Sequence, residues 1–65
     1  MKNICYYLDV VYSNRCERCI KVVACYYNKA DNILEVYSSY NEWFAHEPSR
    51  IIRDVIDFTL FVGEY

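Results

Sequence analysis

Residues 48–63 read PSRIIRDVIDFTLFVG, and whether they wind into a helix or extend as strands decides the fold of the whole chain. Pro48 suits the first position of a helix, where its missing N–H is harmless. From there Ile51, Ile52, Val55, Ile56, Phe58, Thr59 and Val62 fall on one broad helical face. Arg50, Arg53, Asp54 and Asp57 lie opposite, with Arg50/Asp54 and Arg53/Asp57 spaced for i,i+4 pairing, and Gly63 is a natural stop. Residues 58–62 taken alone also read as a strand. The continuous helical phase from Ile51 and the lack of turn residues before Phe58 favour a helix.

Upstream of this stretch the period is 2. In Ile4–Tyr12, Ile4, Tyr6, Leu8, Val10 and Tyr12 share one face, and Cys5, Tyr7, Asp9 and Val11 share the other, as in a strand. Residues 13–18 are polar and read as a hairpin connection. A second strand over residues 19–28 turns Ile20, Val22, Ala24 and Tyr26 one way and Cys19, Lys21, Val23, Cys25 and Tyr27 the other. Residues 28–32 carry the Asn and Asp of a turn, and a third strand spans 33–38 with Leu34 and Val36 inward and Glu35 and Tyr37 outward. Ser39-Tyr40-Asn41-Glu42 fits a capping box, which predicts a short helical turn through Trp43, Phe44 and Ala45. The expected architecture is therefore α+β, one domain over residues 1–65. It is a three-stranded antiparallel meander, a short helical turn and one C-terminal amphipathic helix packed on one sheet face.

A chain of 65 residues buries a thin core, and domains of this size often recruit a disulfide, a metal or a partner subunit. Nine acidic against seven basic residues leave a net charge of −2, which argues against a general nucleic-acid binder. No apolar run is long enough to span a bilayer. Met1-Lys2-Asn3 leads straight into strand-like residues without the plan of a signal peptide. A cytoplasmic, reducing compartment with free thiols is expected. The abundance of Tyr, Asn and Ile fits an AT-rich genome, such as many phages and mobile elements have.

Four cysteines invite a metal reading. Cys16-Glu17-Arg18-Cys19 is a C-x-x-C near the expected hairpin tip, the spacing that lets two thiolates reach one tetrahedral zinc. Two further ligands would have to come from Cys5, Cys25 or His46. On the expected hairpin Cys5 and Cys25 lie roughly 20 Å or more from the tip at strand spacing. Ordinary cysteines are the stronger reading, and no cofactor is expected. Redox chemistry is disfavoured because the motif lies between strands, away from the helix N-terminus that lowers a thiol pKa. A lone His46 fixes no catalytic geometry, and the single glycine excludes a phosphate-binding loop.

The helix should cover the sheet face formed by Ile4, Tyr6, Leu8, Val10, Val22, Ala24, Leu34 and Val36, and a single helix covers only one face. The other face would carry Tyr7, Val11, Val23, Tyr27 and Tyr37 uncovered, and exposed apolar patches usually bind something. These five residues are the expected contact surface for a protein partner, with homodimerisation as a further use of it. The expectation is a non-enzymatic interaction protein, an inhibitor in mode of action. In general character, a short meander plus helix with an acidic balance, the chain is similar to small phage-encoded inhibitors, anti-CRISPR proteins among them, with no shared motif. Two alternatives stand beside it. One is a zinc-stabilised binding module using Cys16 and Cys19. The other is a nucleic-acid module using a basic loop of Arg15, Arg18, Lys21 and Lys29 with the tyrosine-rich sheet.

Overall fold

The alternating segment Ile4–Tyr12 forms strand β1, and in the computed structural model, which describes residues 4–64, it is the middle strand of a sheet. The remaining elements are β2 (Arg15–Val22), β3 (Ala24–Asn28), β4 (Ile33–Tyr37), helix α1 (Tyr40–Ala45), β5 (Arg50–Arg53) and β6 (Val55–Glu64). They make two three-stranded antiparallel sheets, ordered β2-β1-β6 and β3-β4-β5. Met1-Lys2-Asn3, read above for a signal peptide, and the side chain of Ile4, expected inward, lie outside the described residues.

The expected C-terminal helix does not exist. Residues 50–64 are two strands instead, and the protein is mostly strand with a single short helix among the described residues. The residue types explain the outcome. Ile51, Ile52, Val55, Ile56, Phe58, Thr59, Phe61 and Val62 are β-branched or aromatic, the types that fit a pleated surface and lose side-chain freedom in a helix. Within β6 the alternation is clean: Phe58, Leu60 and Val62 stand opposite Val10, Leu8 and Tyr6, while Thr59, Phe61 and Gly63 stand opposite Asp9, Tyr7 and Cys5. The turn that seemed missing is Asp54, held in the left-handed region at φ 56°, a conformation that Asp tolerates better than most residues. The anticipated Arg50/Asp54 and Arg53/Asp57 pairs do not form, since Arg50 bonds Glu17 across the molecule.

The first hairpin is tighter than expected. Its turn is only Ser13-Asn14, both at positive φ (43° and 66°), as a two-residue type I′ connection requires. Residues 15–18, read as loop, are therefore strand. A bulge follows: Leu8 pairs with Ile20 but Val10 with Glu17, and Cys19, at φ 58°, donates its N–H to Asp9 Oδ1 at 2.8 Å. Extra residues of this kind bend a strand and re-aim its side chains.

The expected second strand is two strands. β2 passes into β3 through Val23, whose N–H bonds the Tyr37 carbonyl at 2.8 Å, and β5 passes into β6 through Asp54. Each edge strand of one sheet thus continues into an edge strand of the other. The core lies between the sheets: Leu8, Val10 and Val22 from one, Leu34, Val36 and Ile52 from the other, with Tyr12, Ile20, Cys25, Tyr27, Val55 and Phe58 packed around them. A second sheet, not a helix, covers the inward face around Leu8 and Val10, while Tyr6, Leu60 and Val62 further along the same face stay exposed. Sheet-on-sheet packing buries one face of each layer.

Two local readings hold. The Asn28 side chain accepts from the amides of Ala30 and Asp31 and closes the β3–β4 turn. The Ser39/Glu42 capping box starts α1, with Glu42 N–H donating to Ser39 Oγ at 3.3 Å and Ser39 N–H donating to Glu42 Oε1 at 3.1 Å.

Candidate functional site

Tyr26, Glu35 and Ile51 stand side by side on the outer face of the β3-β4-β5 sheet, because Tyr26 pairs with Glu35 and Glu35 with Ile51. Two residues further along β4, Tyr37 points the same way. Over it lies Trp43 of α1, edge-on with ring centroids 5.0 Å apart. The helix therefore caps one end of this face, and Tyr37 is only 2% exposed. Tyr26, Glu35, Tyr37, Trp43 and His46 together line a groove of about 300 Å³.

Electrostatics inside the groove centre on Glu35. The Tyr37 hydroxyl donates to Glu35 Oε1 at 2.5 Å. That bond, with burial and the carboxylate charge behind it, pushes the Tyr37 phenol up to about 12, so it stays a neutral donor. His46 caps the helix C-terminus in a left-handed conformation, φ 57°, and its N–H bonds the Trp43 carbonyl at 3.3 Å. Beyond the groove, α1 shows Tyr40 and Phe44 to solvent, and Tyr40 borders a second groove lined by Tyr6, Lys21 and Val22. Phe44 is 75% exposed, Tyr40 62% and Tyr26 55%, and Tyr40 stacks on Phe44 with centroids 6.5 Å apart. Ile51 is half-exposed and Trp43 partly so.

The five residues expected on one open face are dispersed. Tyr7 and Val11 lie on the outer face of the first sheet, where Tyr7 stacks on Phe61 at 5.8 Å. Val23 is the corner between sheets. Tyr27 points into the core, its ring 5.2 Å from Phe58 and its hydroxyl on Asn32 Oδ1 at 2.7 Å. Tyr37 faces outward but lies under Trp43. The cause is the corner at Val23, which shifts the alternation by one residue, and such a shift moves every following side chain to the other face. Ala24, expected inward, and Tyr26, read on the same side of the strand, face outward for the same reason.

The metal reading fares no better in geometry. Cys16 pairs with Val11 and Cys19 sits on the bulge, both exposed. Cys5 lies opposite Gly63 in the first sheet, and Cys25 opposite Val36 in the second, where burial pushes its thiol up. Among the described residues no group of three or more His, Cys, Asp or Glu could hold a metal ion. Of the proposed basic loop, Arg15, Arg18 and Lys21 lie along β2, with Arg18 bonded to Cys16 near Asp9, and Lys29 is in the β3–β4 turn. Gly63 ends no helix. It makes room for the Tyr7 ring, which a Cβ would meet at 2.7 Å.

Trp43 covers Tyr37, but Phe44 is left outside. A six-residue helix flanked by Tyr40 and Phe44 at i,i+4 was the legible signal of an aromatic stripe. No helix among the described residues is long and apolar enough to cross a membrane. Comparison with protein-family models, with curated protein sequences and with solved structures finds no match.

Proposed function

We propose that this protein is a non-enzymatic interaction module that works by occupying a protein partner's surface. The contact surface in this reading is the aromatic face built by α1 and the outer side of the β3-β4-β5 sheet. The observation that carries it is the exposure of Phe44 and Tyr40 on α1 and of Tyr26 and Ile51 on the outer side of that sheet. Small monomers seldom leave such side chains clustered in water without a use, and aromatic residues dominate the energetics of protein contacts. A thin core leaves little room for the water-excluding cleft that catalysis needs. The reading includes a cytoplasmic setting, where reducing conditions keep the four thiols free, and inhibition by occlusion as the mode of action.

Photo-cross-linking tests it. A benzophenone amino acid replaces Phe44 in one sample and Asp31, on the exposed β3–β4 turn, in another. Position 44 should give a discrete cross-linked species in an extract of the native cell, competed away by unlabelled wild type but not by Phe44→Ser. The same experiment on purified protein reads out self-association, so a homodimer and a heterologous partner separate cleanly. Equal products from both positions, or competition by Phe44→Ser as strong as by wild type, would overturn the proposal.

A further inference from the structure

The groove beside α1 combines aromatic walls and a single acid. Its lining holds one carboxylate and the His46 imidazole, and no lysine or arginine. Glu35 Oε1 is tied down by the Tyr37 hydroxyl, which fixes the carboxylate's orientation. Among the described residues no donor reaches Oε2. Tyr26 stands directly across the strand pair from Glu35, and Trp43 closes the opposite side over Tyr37.

Such a setting selects for a cation with a flat, weakly hydrated head. Aromatic rings attract cations through their negative faces. A guanidinium stacks on such a ring and still offers in-plane N–H groups to a carboxylate, whereas an ammonium is a compact, strongly hydrated point charge. We propose that the groove of Tyr26, Glu35, Tyr37 and Trp43 receives the guanidinium of an arginine side chain presented by the partner protein. This deepens the interaction reading above and rests on it for the source of the arginine. The fit is electrostatic as well as apolar, so the groove discriminates arginine from a neutral side chain of the same shape.

The test is a titration of the purified protein with N-acetyl-arginine methylamide, followed by fluorescence of Trp43, the only tryptophan in the chain, and by amide shifts. The citrulline analogue, isosteric and uncharged, is the control. Saturable changes centred on Tyr26, Glu35 and Trp43 should appear with the arginine compound and be at least about tenfold weaker with citrulline, as expected for loss of a charge-assisted bond. Glu35→Gln should weaken arginine binding by a similar factor. Tyr26→Leu, at an exposed strand position, should weaken it too. Equal binding of the two compounds, shifts centred elsewhere, or no saturation would overturn the proposal. Cross-linking from position 44 without arginine selectivity would leave the interaction reading standing and remove this one. Arginine selectivity without cross-linking would show a guanidinium site but overturn the partner protein as the source of the arginine.

Discussion

Leu34 lies wholly out of solvent between Tyr27 and Ile52, its register partners, in one cluster with Leu8 and Val10. Its inward direction was legible from alternation alone, as it was for Leu8, Val10, Val22 and Val36. In a core this thin no neighbour can collapse far into a vacated space. Leu34→Ala should therefore cost about 2–5 kcal/mol, read as a drop in the urea midpoint with little change in slope. Since stabilities of small domains start near 5 kcal/mol, the variant should be largely unfolded at mild denaturant. Tyr37 marks where residue-scale reading stops. Alternation assigned it correctly to the outer side of β4, but nothing in the pattern says that α1 folds back over it. Tyr27 was misassigned outright, because its direction depends on a corner four residues earlier.

At the scale of elements the decisive feature is the corner between β5 and β6. Asp54 holds φ at 56°, and its carbonyl accepts from Ser13 N–H at 3.3 Å. A β-branched residue is strongly disfavoured there, while glycine is at home. Asp54→Val should lose about 1–2 kcal/mol, whereas Asp54→Gly should stay within about 0.5 kcal/mol of wild type. Thermal melts of the two variants check this, and a cost equal for both would point to the carboxylate instead of the backbone. Residues 50–63 misled because their apolar residues satisfy both periods at once: Ile51, Ile52, Val55 and Ile56 fill a helical stripe, and Phe58, Leu60 and Val62 fill a strand face. A helix closes its hydrogen bonds locally, so its pattern is visible in the segment itself. A strand's partner lies elsewhere, and β6 finds its partner in β1, some fifty residues earlier. By contrast the capping box of Ser39 and Glu42 is a local device, and it was readable in full.

Across the whole molecule the two sheets are clasped at one end by Arg50. Its guanidinium bonds both oxygens of Glu17, with Nη1 to Oε1 at 3.0 Å, and Nη2 also donates to the Tyr12 hydroxyl at 2.8 Å. Tyr12 in turn donates to Glu17, and the guanidinium lies 5.9 Å from the Tyr12 ring centroid. Arg50 comes from one sheet and its two partners from the other, so the cluster joins layers that the chain itself links only at corners. The bond from Arg50, then that from Tyr12, holds the Glu17 carboxyl down at about 2, against 4.5 for a free one. The unfolded chain therefore binds the extra proton first as pH falls. The stabilisation is fully present above about pH 4.5 and is lost as pH drops through about 2. Because the pair is partly exposed, the effect is screened and should shrink with added salt. Urea midpoints measured between pH 5 and pH 2 should fall more steeply for wild type than for Glu17→Gln; parallel curves would show that the clasp does not contribute.

Taken alone, the amino-acid sequence determined what local chemistry can specify. The inward residues of β1 and β4 follow from their period-2 alternation, and the Asn28 turn and the capped helical turn from contacts between residues a few positions apart. Only the tertiary structure decided the phase of β3 after the Val23 corner, the strand state of residues 50–64 and hence which aromatics face water. Each of these depends on hydrogen bonds between segments distant along the chain. A period-2 strand carries no record of which partner it will meet or where a bend will reverse its faces. For that reason the candidate surface moved from the expected Tyr7, Val11, Val23, Tyr27 and Tyr37 to Tyr26, Ile51 and the exposed side of α1.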